Sequence, residues 1–156
     1  MQSKSISKLI MIAPLTMIVC GLPSPALADS GNQPCSNRTL KGDYGFTIEG
    51  ILAVPGAQLP PGLGLTLRGL AMAHYDGRGN FTQVDHTVVA FEPATEDWTP
   101  GNGTYNVNPD CTGTAVINSG DNPPLGVHFV IVREGKEIHQ VVDSNAVTAI
   151  GVKVEN

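Results

Sequence analysis

From Asp43 onward, short runs rich in β-branched and aromatic residues alternate with clusters of Gly, Pro, Asn and Asp, and no ten-residue stretch combines helical periodicity with caps. The runs predict eight strands, at 43–53, 64–75, 81–91, 103–108, 112–119, 125–133, 137–143 and 146–154. Turn clusters punctuate them at 55–62, 76–80, 93–101, 108–110, 120–124, 134–136 and 144–145. Most of these connections are short, so strands adjacent in sequence are expected to pair antiparallel. The predicted fold is all-β: an eight-stranded antiparallel up-and-down barrel, with a two-sheet β-sandwich as the alternative. Closure is preferred because it removes the unpaired edges that template aggregation.

One hairpin can be phased. A five-residue loop at 76–80 sets Tyr75 opposite Phe81, and then His74 opposite Thr82, Met72 opposite Val84, Leu70 opposite His86 and Arg68 opposite Val88. The face carrying Leu70, Met72, Val84 and Val88 is large and apolar. The other face carries Gly69, Ala71, Ala73 and Tyr75 against Phe81, Gln83, Asp85 and Thr87, and is smaller and more polar. Size and hydropathy therefore predict that the first face points inward and takes Arg68, His74 and His86 with it. Polar groups there need partners or water, and Glu49 is the expected counter-charge for Arg68. The alternative places these tips at the barrel rims, with their stems packed and their heads in solvent. Strands 125–133 and 146–154 are apolar on both faces, with Val127, Phe129 and Ile131 on one side and Val130 and Val132 on the other. A second apolar face in so small a barrel predicts a homo-oligomer.

Lys4 and Lys8 precede an apolar run broken by Pro14 and followed by Ala26-Leu27-Ala28, which predicts a secretory signal peptide over 1–28. The run is shorter than the roughly 20 residues a bilayer-spanning helix needs. The expected product is exported, periplasmic or secreted, with no membrane span. It comprises an N-terminal tether at 29–42 and a barrel domain at 43–156. Cleavage removes Lys4, Lys8 and Cys20 but no acid. The remaining pair, Cys35 and Cys111, is most simply a disulfide in an oxidising compartment, tying the tether to the barrel.

Composition then narrows the chemistry. The 156 residues carry 9 Lys and Arg against 14 Asp and Glu, a net charge of -5, which argues against a nucleic-acid partner. Gly 18 and Pro 12 accompany a hydrophobic fraction of 41%, so they mark turns rather than disorder. No phosphate-binding glycine loop and no Gly-x-Ser-x-Gly elbow occurs, and neither cysteine has a nearby cysteine or histidine partner. No cofactor and no metal site is predicted. Three Asn-x-Ser/Thr triplets, at Asn37, Asn80 and Asn102, are acceptors only in a eukaryotic secretory route.

The runs Gln83-Val84-Asp85-His86-Thr87-Val88-Val89, Asp97-Trp98-Thr99-Pro100-Gly101-Asn102-Gly103-Thr104-Tyr105, Val107-Asn108-Pro109-Asp110-Cys111-Thr112-Gly113-Thr114 and His128-Phe129-Val130-Ile131-Val132, after Thr39-Leu40-Lys41-Gly42-Asp43-Tyr44-Gly45-Phe46, resemble a group of small exported bacterial proteins without an assigned function. At the level of architecture the pattern is similar to calycin-type and allene-oxide-cyclase-like barrels. That resemblance implies an interior that holds a small apolar molecule, and none of the catalytic residues of those barrels maps onto this chain. The leading expectation is a non-catalytic barrel that binds such a ligand inside, with Leu70, Met72, Val84 and Val88 in contact, Arg68, His74 and His86 orienting it, and Trp98 covering a barrel mouth. The first alternative is an isomerase or cyclase with His86 as acid or base. The second is a packed, self-associating structural module of the envelope or medium.

Overall fold

The computed structural model describes residues 33–52, 64–90, 93–94, 96–120 and 122–155, all within the compact unit Asn32–Asn156. The expected leader at 1–28 and the 55–62 connection, with its Leu59-Pro60-Pro61 run, lie outside them. Eight strands run in chain order: β1 (Gly42–Leu52), β2 (Leu65–Tyr75), β3 (Asn80–Val89), β4 (Thr99–Val107), β5 (Thr112–Ser119), β6 (Leu125–Val132), β7 (Glu137–Val142) and β8 (Ala146–Lys153). Each pairs antiparallel with its neighbours in sequence, and β1 pairs with β8, so the sheet is a closed up-and-down barrel.

The β2–β3 register is the one predicted, from Tyr75 opposite Phe81 to Arg68 opposite Val88. Its loop is set by Asp76, whose Oδ1 accepts the backbone N–H groups of Arg78 (2.6 Å) and Asn80 (3.0 Å) while Gly77 supplies a φ of +76°. The largest departure is β4, which begins at Thr99, four residues before the expected start. Pro100 and Gly101 read as turn residues, yet Pro100 lies opposite Val84 and Gly101 opposite Gln83. The glycine is favoured there, because a Cβ on Gly101 would come 2.9 Å from the carbonyl oxygen of Asn118 and 3.1 Å from Cγ of Gln83.

The inward phase is the reverse of the one expected for the hairpin. Ala71, Ala73, Tyr75 and Phe81 are buried, and Leu70, Met72, His74 and Val84 are exposed. The physical reason is what takes up the interior: an eight-stranded barrel is just wide enough for its own side chains or for one small ligand, and here aromatic rings take that space. Its interior is occupied by a few large rings lying over strand positions with no side chain. Phe46 faces Gly151, Phe81 faces Gly103 and Phe129 faces Gly113 in the cross-strand register. A Cβ on those glycines would lie 2.3, 2.4 and 2.3 Å from the facing ring. Small residues on the inner face thus mark where an aromatic neighbour lies.

One end of the barrel is sealed. A 3-10 turn at Asn37–Leu40, unforeseen in the tether, lowers Leu40 into the core. There Tyr75 stacks on Phe81 (ring centroids 5.2 Å) and meets Tyr44 and Tyr105 edge-on (5.4 and 5.1 Å). Asn37 accepts the Val107 N–H through its side-chain oxygen (2.8 Å) and the Tyr105 hydroxyl through its carbonyl (3.0 Å). The Cys35–Cys111 disulfide, Cα atoms 5.0 Å apart, holds this segment down as predicted.

Candidate functional site

The outward positions of β8, β1, β2 and β3 form a continuous apolar patch. Met72 lies between Gly45 and Val84 in the register, and Gly45 lies beside Val152; the next row runs Ile150, Thr47, Leu70 and His86. Leu70 is 53% exposed, Met72 45%, Val84 39%, Ile150 43% and Val152 54%. Polar pairs frame the patch at both ends: the Asp43 carboxylate accepts from Nδ1 of His74 (2.6 Å), and Arg68 donates to Glu49. A contiguous apolar surface rimmed by polar groups is the usual form of an interaction site.

Over β1 the patch dips into an open groove of about 530 Å³, lined by Thr47, Glu49, Arg68, Leu70, His86, Val88, Thr148 and Ile150. The shorter β1 side chains form the trough, and those of β8 and β2 its walls. A comparable groove of about 550 Å³ lies over β5, β6 and β7, with Thr114, His128, Val130, His139 and Val141 on its walls. Both volumes fall in the range of small-molecule sites, and both grooves are on the outside.

The residues expected to line an interior pocket are therefore brought together, but on the opposite side of the sheet. Arg68, Leu70, His86 and Val88 share the first groove, and Met72, Val84 and His74 continue along the same outer face. Glu49 is the counter-charge of Arg68, as predicted, in solvent rather than in an enclosed space. His86 donates from Nδ1 to the carbonyl of Asp97 (2.6 Å), and its ring lies 6.0 Å from that of Trp98. Trp98 thus sits beside the groove instead of over an interior mouth. An acid-base site on His86 lacks the dry enclosure expected for it.

Each of the four histidines sits within hydrogen-bond distance of an oxygen: His74 of Asp43, His86 of Asp97, His128 of Asp143 and His139 of Glu137. No three metal-ligating side chains converge among the described residues. The polar group that sequence reasoning passed over is Asp85, which points inward near the barrel end opposite Leu40. Its Oδ2 accepts from Nε2 of Gln83 (3.2 Å) and Oγ of Ser119 (3.4 Å). The only signal in the sequence was its alternation with His86, and that signal was assigned to the wrong side.

The apolar exterior falls in two sectors: besides the patch on β8, β1, β2 and β3, Val116 of β5, Val130 and Val132 of β6 and Val141 of β7 stand outside. Outward positions on β4 carry Asn102, Thr104 and Asn106 and interrupt it, whereas a lipid-facing barrel has an apolar belt all round and a polar lumen. No family model, no curated protein and no solved structure matches the chain. The likeness to other barrels therefore rests on architecture alone.

Proposed function

We propose that this chain is an exported, non-catalytic interaction module whose working surface is the outside of β8, β1, β2 and β3. The single observation behind this is the phase of the sheet: aromatic rings occupy the inside, and Leu70, Met72, Val84, Ile150 and Val152 stand outside. Burying such a patch against a partner gains about 25 cal/mol per Å² of apolar area removed from water. Peroxide footprinting tests the reading. Met72, a residue 45% exposed, should oxidise within about threefold of its rate in the urea-unfolded chain if nothing covers it. In the compartment where the protein works, Met72 is expected to react at least roughly tenfold more slowly, and rates within threefold overturn the reading. Met72→Glu should leave the urea midpoint of the dilute protein unchanged, which separates a docked surface from a buried one.

A second reading keeps the small, largely apolar ligand and moves it to the outer groove. It is supported by Arg68, Leu70, His86 and Val88 converging there with Trp98 alongside. Saturable quenching of Trp98 by anilinonaphthalene sulfonate, lost in Leu70→Glu, is the expected result. Linear quenching that Leu70→Glu does not alter removes this reading.

A further inference from the structure

The outer faces of β1 and β2 are complementary to each other in both relief and charge. Outward from β1 stand Asp43, Gly45, Thr47 and Glu49: two acids bounding two small residues. Outward from β2, at the same four levels, stand His74, Met72, Leu70 and Arg68: two bases bounding two large apolar residues. One strand is a trough between acids, and the other is a ridge between bases. At the floor of the trough, a Cβ placed on Gly45 would meet nothing within 4 Å.

From this we propose that the partner of the docking surface is a second copy of the same chain. The two copies are related by a two-fold axis lying in the interface, parallel to the strands and between β1 and β2. The inference rests on the docking-surface reading above. That axis sets each β1 over the partner's β2, so the ridge of Leu70 and Met72 enters the facing trough at Thr47 and Gly45. Glu49 then faces the partner's Arg68 and Asp43 the partner's His74, giving an alternating quartet of charges at one end and of carboxylates and imidazoles at the other. A two-fold axis perpendicular to the strands is disfavoured, because it stacks ridge on ridge and sets Asp43 against Glu49 of the other copy. Self-complementarity of this kind is what an isologous interface requires.

The size of the patch sets the expected strength. On a closed barrel the flanking strands curve away from a partner, so β1 and β2 make the contact: two strands spaced about 4.8 Å apart and seven residues rising about 3.4 Å each give roughly 230 Å². That is well below the roughly 800 Å² per partner of standard interfaces, so the dimer is expected to be weak and transient.

Sedimentation velocity of the exported protein, over a micromolar-to-millimolar series, tests the arrangement. The parent is expected to shift from monomer to dimer. Gly45→Val fills the trough in open space, so it should remain folded, with a urea midpoint no lower than the parent's, and stay monomeric. Arg68→Glu should weaken association at least tenfold, and Glu49→Arg combined with Arg68→Glu should restore it. A parent that is monomeric throughout, a dimer that survives Gly45→Val, or a double swap no better than the single overturns the two-fold arrangement. Protection of Met72 in its own compartment would still uphold a docking surface with a different partner.

Discussion

Tyr44 shows how one side chain joins distant parts of the chain. It has no exposed surface, and its hydroxyl donates to the carbonyl of Gly135 in the turn between β6 and β7. Burial first, and Tyr105 second, push its pKa up to about 12 from 10.0; Tyr75 and Tyr105 are also raised, chiefly by burial. The unfolded chain therefore loses its phenolic protons at lower pH than the folded one. The stability these groups contribute is complete below pH 10 and is lost as the pH rises from there through about 12. Urea unfolding across this range should show the midpoint falling. Tyr44→Phe should reduce the fall while costing about 1–3 kcal/mol at neutral pH, since the Gly135 carbonyl loses its donor. A phenol that titrates at its ordinary pH in the folded protein would contradict this. At the same scale, the inner glycines were visible in the sequence but their purpose was not, because Gly103 is explained by the Val116 carbonyl and the Phe81 ring on the two neighbouring strands.

Among the elements, the tether depends most on a single bond. The segment before β1 has one 3-10 turn and a few hydrogen bonds to β4 and its following loop, including Cys35 N–H to the carbonyl of Pro109 (3.1 Å). The disulfide joins residues 76 apart, and on the chain-entropy estimate it contributes roughly 4 kcal/mol. Reduction, or the Cys35→Ser and Cys111→Ser pair, is expected to lower the unfolding free energy by about that amount in urea melts and to free Leu40 from the barrel end. A loss below about 1 kcal/mol would show that the turn holds without the bond. Most strand positions and the β2–β3 register could be read directly, because alternation and Asx-turn chemistry are local properties. The early start of β4 could not, since Pro100 and Gly101 carry the same composition in a loop as in a strand whose neighbour, Gln83, needs the space.

For the whole molecule, the deciding step was the direction in which the sheet curls. Residue pattern and turn chemistry by themselves determined the all-β class, the eight strands, their sequential antiparallel order and the partners across the hairpin at 76–80. They also brought Arg68, Leu70, His86 and Val88 to one face, because side-chain period and loop length act within a few residues. Only closure decided that this face is the outside. In this barrel rings from several strands, some lying over glycines, take up the interior, so the hairpin face with Leu70, Met72, Arg68 and His86 was turned outward. The β1–β2 pairing, a contact between segments separated by a long connection, then set acids beside bases at matching levels. That juxtaposition exists only in the folded sheet, and it is what makes the outer face complementary to itself.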